Sequence, residues 1–245
     1  MGAGLAAGAS ILRWASRERW DRSTKSPLMG TLIETSDLLT NTVVVLGTVA
    51  WAVSGAMAAA RHRLDWFGVV VLGVIVAVGG GTVRDLLLDL EVSWIEQPWP
   101  VFLAAGVALL TIPPARRWAT AVDQWQIVLA ADALGLGLFT VLGCDTALHA
   151  GTSSVVAVIL GVMGGISGGV IRDLLLTRTP VVLTGEIYAL AAIAGAVAYV
   201  LLLRTSISPV GALWIPVLLT FGLRAIALRR AWSIPAARID RDGDG

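Results

Sequence analysis

Apolar runs of membrane-spanning length alternate along the chain with short clusters of charge. No charged residue falls between Leu38 and Ala60, a stretch closed by Arg61, His62 and Arg63, and a second charge-free run extends from Trp66 to Val83. About 20 consecutive apolar residues suffice to cross the hydrocarbon core of a bilayer, so these runs predict the first two of a series of transmembrane helices. A third is expected over about Pro98–Ala115, closed by Arg116, Arg117 and Trp118, and a fourth over Gln124–Cys144, with Asp132 as its single charge. A fifth follows over about Gly151–Leu176, a sixth over about Val181–Leu203 with Glu186 near its start, and a seventh over about Ile207–Leu223. Between helices two and three, Asp89, Glu91 and Glu96 form an acidic loop flanked by Trp94 and Trp99, a residue type that favours the headgroup level. The pattern predicts an all-α polytopic membrane protein with seven transmembrane helices.

One stretch occurs twice. Gly79-Gly80-Gly81-Thr82-Val83-Arg84-Asp85-Leu86-Leu87-Leu88 reappears as Ser167-Gly168-Gly169-Val170-Ile171-Arg172-Asp173-Leu174-Leu175-Leu176, an offset of 88 residues from Arg84 to Arg172. At that offset Gly55 meets Gly143, Gly73 meets Gly161, and the apolar envelopes of helices one to three meet those of four to six. The chain therefore divides into an extension (1–37), a three-helix repeat (38–118), a second three-helix repeat (119–204), a seventh helix (205–228) and a tail (229–245). A repeat that crosses the bilayer an odd number of times must insert its second copy upside down. Inverted repeats of this kind are a device of transporters and channels, with the working site at the midplane between broken helices.

Glycine in a helix interior costs about 1 kcal/mol relative to alanine, so the clusters Gly79-Gly80-Gly81 and Gly164-Gly165…Gly168-Gly169 require a reason. One is close helix approach, because small residues let transmembrane backbones touch. The other is a break in helices two and five that frees backbone groups into a protein-lined cavity. Two breaks in equivalent positions favour the second, and these glycines are expected to line an ion pathway. Carbonyls at the ends of the first half-helices would suit a partly dehydrated cation, and amides at the starts of the second would suit an anion or carboxylate. A monovalent cation and a zwitterion both remain open on these grounds.

The charge pairs Arg84-Asp85 and Arg172-Asp173 lie at this pathway. Sequence neighbours on a helix do not face each other, so cross-repeat pairing is expected, Arg84 with Asp173 and Arg172 with Asp85. Local carbonyl capping or snorkelling of each arginine is the alternative. Asp132 and Glu186 have no acidic counterparts at offset 88, where Val44 and Pro98 stand. An ionisable group within a span is a functional candidate by default, and Asp132 is expected either along the pathway or as a solvated acid near the interface.

Composition agrees with a bilayer setting. The chain is 56% hydrophobic and only 14% charged, with a mean hydropathy of +0.81, whereas soluble domains carry about 25% charged residues. A net charge of +1 and the absence of a basic stripe argue against a nucleic-acid partner. The single cysteine, Cys144, excludes an intrachain disulfide, and lone His149 is not expected to hold a metal. No motif supports catalysis and no cofactor is expected. Residues 1–37 carry a basic, aromatic centre (Arg13, Trp14, Arg17, Arg19, Trp20, Arg22, Lys25) that suits an anionic membrane surface or a poorly ordered tail, and no cleaved signal peptide is indicated. Arg61, Arg63, Arg116, Arg117, Arg178, Arg229 and Arg230 fall in loops on one side, which the positive-inside rule makes cytoplasmic together with the carboxyl terminus.

The doubled Gly-Gly-x-x-Arg-Asp-Leu-Leu element, Asp132-Ala133-Leu134-Gly135 and Glu186-Ile187-Tyr188-Ala189 resemble the prokaryotic TRIC proteins, the trimeric intracellular cation channels, over about residues 37–228. The resemblance implies seven helices as an inverted three-plus-three repeat with one added, and a homotrimer with a pore in each protomer of a bacterial or archaeal cell membrane. It implies passive conduction of monovalent cations, chiefly potassium, near kinks at the glycine motifs of helices two and five. Bacterial members overlap a glycine-transporter-like membrane domain, which keeps secondary transport of a small solute such as glycine as the alternative. Thr82-Val83-Arg84-Asp85 stands where animal members carry a Lys-Glu-Val element tied to phosphoinositide lipid, so lipid gating of that kind is not implied.

Overall fold

The computed structural model describes residues 27–118, 124–183 and 187–230. Glu186, Arg238 and the basic centre of the extension lie outside the described residues. By its contacts the chain divides into residues 1–41 and 42–245. Of the first unit, residues 27–41 are helical. The second unit holds the remaining helices.

Among the described residues the chain is helical, with no strand. The long helices are α1 (Pro27–Arg61), α2 (Trp66–Leu87), α3 (Trp99–Trp118), α4 (Gln124–His149), α5 (Ser154–Leu175), α6 (Ala189–Leu202) and α7 (Pro209–Arg230). A single helical turn, Ser93–Glu96, precedes α3, and a 3-10 turn, Val181–Leu183, precedes α6. Among the described residues, five segments are long and apolar enough to cross a bilayer: Leu38–Arg61, Trp66–Leu87, Trp125–His149, Ser154–Leu175 and Pro209–Arg230. At 1.5 Å per residue the 22-residue segments reach about 33 Å, against roughly 30 Å of hydrocarbon. Trp99–Pro113 and Ala189–Leu202 are apolar but shorter.

Helices α1 and α4 form the interior, with 67% of each span buried, against 39% for α2 and for α5 and 33% for α7. Helix α4 packs on α5, α2 packs on α3 and α5, and α7 packs on α4 and α6. Gly55 brings α1 so close to α2 that a Cβ there would sit 3.0 Å from the Gly73 Cα, and Gly143 brings α4 equally close to α5, 2.9 Å from the Gly161 Cα.

Helices α2 and α5 run unbroken through their glycine clusters, which corrects the expectation of two broken helices. Neither cluster contains a positive φ. The reason is packing: a Cβ at Gly80 would meet the Trp51 indole at 2.5 Å, and one at Gly168 would meet it at 2.8 Å. The bare backbone is needed for contact, and in lipid each helical hydrogen bond given up would have no water to replace it. Several helix bounds also differ from expectation. The first helix begins at Pro27 rather than Leu38, the fourth continues past Cys144 to His149, the seventh continues past Leu223 to Arg230, and the sixth begins at Ala189, after a separate 3-10 turn in which the Val181 amide is held by Asp173.

Both repeats end their helices alike. The chain leaves α2 through Asp89 at φ 54° and leaves α5 through Thr177 at φ 54°. Leu90 N donates to Asp85 O (2.9 Å) and Arg178 N donates to Asp173 O (2.8 Å), the long bond of a Schellman cap in each case. The exits of α1 and α4 also match, through Arg63 (φ 58°) and Gly151 (φ 83°).

Candidate functional site

The centre of the protein is a stack of Trp51 on Phe139, ring centroids 4.2 Å apart and planes 13° from parallel. These residues are themselves 88 positions apart, and the contacts around them are reciprocal. Gly47 of α1 is bare against Phe139 of α4, and Gly135 of α4 is bare against Trp51 of α1. Gly80 of α2 is bare against the Gly164 carbonyl of α5, while a Cβ at Gly168 of α5 would lie 2.9 Å from the Val76 carbonyl of α2. Each contact is returned by residues at the repeat offset, as contacts across a two-fold are.

The Arg-Asp pairs close off the last turns of α2 and α5. Asp85 accepts Arg84 Nε (2.8 Å) and Nη2 (2.6 Å) on Oδ1, and the Ser93 amide (3.0 Å) and hydroxyl (2.7 Å) on Oδ2. Asp173 accepts Arg172 Nε (2.9 Å) on Oδ1, with Nη2 at 2.8 Å, and the Val181 amide (3.0 Å) on Oδ2. Ser93 and Val181 are again 88 positions apart. The expected cross-repeat pairs do not form: each guanidinium meets the carboxylate of the next residue. The long arginine side chain curls sideways at the helix end, and the carboxylate is turned toward it because its other oxygen is anchored to the following loop.

The two half-sites then diverge. Arg172, fully buried, also donates from Nη1 to Asp132 Oδ1 (2.7 Å) and to Ser54 Oγ (2.7 Å). Asp132 is 1% exposed, so it is a buried ion-pair partner rather than a solvated interfacial acid. Tyr188 and Arg224, both buried, complete this cluster, with the Arg224 guanidinium 4.9 Å from the Tyr188 ring centre. Among the described residues Arg84 meets Asp85 and, at 3.4 Å, Ser93 Oγ. Beside it lies a cavity of about 70 Å³ bounded by Thr48, Gly81, Asp85, Ser93, Trp94 and Phe139, among others. Beyond its own helix, no atom of the described residues lies within 4 Å of where a Cβ at Gly81 would stand, whereas a Cβ at Gly169 would meet Tyr188 Oη at 2.7 Å and Asp132 Oδ1 at 3.0 Å. Of the remaining candidates, Gly79 faces Ile171, Gly165 is bare against Thr140 and Leu136, and Gly164 has Arg84 Cβ no nearer than 3.7 Å.

Contacts at the helix ends sort the loops into two groups. Arg61, at the end of α1, and Arg178, after α5, both lie over the Trp125 ring at the start of α4, at 5.8 and 3.8 Å. Arg229 of α7 lines a groove with Gln126 and Leu129 of the same α4 end. At the opposite end of α4, Tyr199 Oη donates to Asp145 Oδ1 (2.6 Å), His149 Nδ1 lies 2.9 Å from the Asp145 carbonyl, and Arg204 reaches Ser154 Oγ (3.4 Å). Near Ser93, Glu96 shares a side-chain hydrogen bond with Glu91, which raises its pKa above the ordinary carboxylate value, and the Glu91 charge adds to the shift.

Trp51, Ser54, Ser93 and Arg224 were not singled out by sequence reasoning, and Tyr188 entered only through the resemblance. Arg224 carried a readable signal: it is a lone charge between Phe221-Gly222-Leu223 and Ala225-Ile226. The serines carried none.

An all-helical multi-pass membrane protein with two matched buried Arg-Asp clusters is the class that these features define. A family described as glycine transporter matches residues 41–114 and again 129–204. The UPF0126 inner membrane protein YadS of Escherichia coli is 36% identical over 201 residues, covering 81% of this chain and 96% of that one. A UPF0126 membrane protein of Deinococcus radiodurans is 35% identical over 202 residues, covering 80% and 90%. The structure of the TRIC trimeric intracellular cation channel orthologue from Rhodobacter sphaeroides is similar at TM-score 0.75 and 37% identity, covering 79% of this chain and 99% of that one. A prokaryotic TRIC channel crystallised in 0.5 M KCl is similar at TM-score 0.74 and 28% identity, with 80% and 99% covered. The chain belongs to this family, the UPF0126 membrane proteins with a doubled glycine-transporter domain, which takes in the prokaryotic TRIC channels.

Proposed function

We propose that the protein is a passive channel for monovalent cations, potassium among them, with a pore inside each protomer where α1, α2, α4 and α5 meet. The observation that carries the reading is the pair of buried Arg-Asp clusters placed at the ends of α2 and α5, in a chain 37% identical to a TRIC channel orthologue over nearly the whole length of that orthologue. Residues 38–118 and 119–204 act as the two halves of an inverted repeat, and α7 is the added element. Reciprocal contacts at the repeat offset support this, as does the meeting of Arg61 and Arg178 at one end of α4. Because the glycine helices are continuous, the ion is met by side-chain oxygens rather than by freed carbonyls. Thr48, Asp85 and Ser93 supply them at the Gly81 cavity. Gly79, Gly80, Gly164, Gly165, Gly168 and Gly169 hold the crossing helices close enough to shape the path, and Asp132 and the charge pairs set its electrostatics.

The arginine-rich end is cytoplasmic by the positive-inside rule, and with it the carboxyl terminus. Three protomers assemble in a bacterial or archaeal cell membrane. In planar bilayers the purified protein is expected to give unitary currents whose reversal potential follows the potassium gradient, and crosslinking is expected to trap three copies. The family description favours one other reading, secondary transport of glycine. Saturable, counter-transportable uptake of labelled glycine in proteoliposomes, with no unitary current, would replace the channel by the transporter.

A further inference from the structure

We infer that the seventh helix latches one end of this pathway: Arg224 of α7 holds Tyr188 over the Asp132–Arg172 pair, sealing that half-site while its repeat counterpart beside Gly81 stays open. The latch rests on the proposed function only in that a pathway runs through these half-sites; the asymmetry itself is geometric.

The two half-sites can be laid over each other position by position. At offset 88, Val44 corresponds to Asp132, Thr48 to Leu136, Gly81 to Gly169, Pro100 to Tyr188 and Leu142 to Ser54. Every one of the first members lines the 70 Å³ cavity. Their counterparts gather around Arg172 or fill the equivalent space. Asp132 and Ser54 occupy Arg172 Nη1, and Tyr188 Oη and Asp132 Oδ1 stand where a side chain at Gly169 would go. Val44 and Leu142 offer Arg84 no such polar atoms, and proline at 100 has no aromatic ring to reach across. The same backbone frame is thus open on one side and packed shut on the other.

Helix α7 follows the second repeat. Helix α7 packs on α4, which carries Asp132, and on α6, whose amino-terminal cap is Tyr188. Arg224 is fully buried and its guanidinium lies over the Tyr188 ring at 4.9 Å. A cation over an aromatic face is held more strongly when both are out of water, so the ring is pinned where it blocks the space beside Gly169. Arg224 is therefore a positioning residue acting through Tyr188. The sealed end is the one marked by Arg178, which follows Arg172 out of α5.

Cysteine labelling tests this without requiring current. In a Cys144→Ala background in lipid nanodiscs, where reagent reaches both faces, Thr48→Cys and its counterpart Leu136→Cys are exposed to 2-aminoethyl methanethiosulfonate. Thr48→Cys should react at least about tenfold faster than Leu136→Cys. Arg224→Met should speed labelling of Leu136→Cys by about tenfold and add nothing once Tyr188 is alanine, the mark of a coupled pair. Arg224→Lys, which keeps a cation, should leave the rate near its starting value. Should Arg224→Met fail to fold, Tyr188→Leu removes the ring from under Arg224 and should give the same acceleration. Equal labelling of the two cysteines, or equal effects of Arg224→Met with and without Tyr188, overturns the latch. Asymmetric labelling in a protein that passes no current upholds it and fails only the channel.

Discussion

Gly80 and Gly81 are adjacent in one helix and should answer a methyl group with opposite signs. At Gly80 the methyl would drive into Trp51 and the Gly164 carbonyl, so Gly80→Ala should destabilise by roughly 2 kcal/mol, the range of overpacking a filled core. At Gly81 a Cβ would meet no neighbouring group of the described residues within 4 Å, and Gly81→Ala should stabilise by up to about 1 kcal/mol through helix propensity. Unfolding by sodium dodecyl sulfate in mixed micelles measures both. The arginines should differ as well. Arg172→Gln takes the cation from two buried carboxylates at once, Asp132 and Asp173, and leaves Asp173 only the Val181 amide, an expected loss of about 3–5 kcal/mol, whereas Arg84→Gln takes it from Asp85 alone, which stays bonded to Ser93, and should lose roughly 1–2 kcal/mol. The doubled Arg-Asp motif was visible in the sequence, but its partners were not. Which oxygen a guanidinium reaches depends on the loop that anchors the carboxylate, and neither Ser93 nor Val181 bears any mark of that role.

At the scale of the helix, the shared exits of α2 and α5 store strain that substitution can release. Thr177 is β-branched and sits at φ 54°, a left-handed conformation that costs an L residue roughly 1–2 kcal/mol. Thr177→Gly should therefore raise stability by about 1 kcal/mol in a thermal melt, and Asp89→Gly by less, since aspartate tolerates that region. Apolar run length placed most helices well because lipid leaves the chain little freedom over where a span starts and stops. It erred in two ways. Glycine clusters read as breaks were instead contact surfaces, a distinction that depends on Trp51 and the neighbouring helix and so is absent from the local sequence. The seventh span was also ended too early, at about Leu223, whereas the helix continues to Arg230 and carries Arg224 buried against Tyr188.

For the whole molecule, the decisive pattern is that Arg61, Arg178 and Arg229 converge on one end of α4, while Asp145, His149 and Tyr199 share the other. A reporter fused after Arg230 should accordingly be active in the cytoplasm, and a cysteine placed at Ala150 should react with an impermeant reagent added outside intact cells. Reversed labelling would invert the orientation. The duplication was fully legible at offset 88, and the reciprocal contacts around Trp51 match it. The difference between the halves was much less so. It is written in single substitutions, Val44 to Asp132 and Pro100 to Tyr188, whose meaning emerges only when α7 is laid against them.

The stack of Trp51 on Phe139 has a consequence for the ancestry that such a duplication suggests. If the halves are the inverted repeat proposed above, two residues that correspond in it and also touch would lie beside the axis that relates them. In an assembly of two identical half-length chains, that position would bring one side chain against its own copy, tryptophan on tryptophan or phenylalanine on phenylalanine. Such chains would have to enter the membrane in both orientations to meet. On that reading, fusing the halves would fix one orientation for each and let the contact beside the axis be made by two different rings, Trp51 and Phe139.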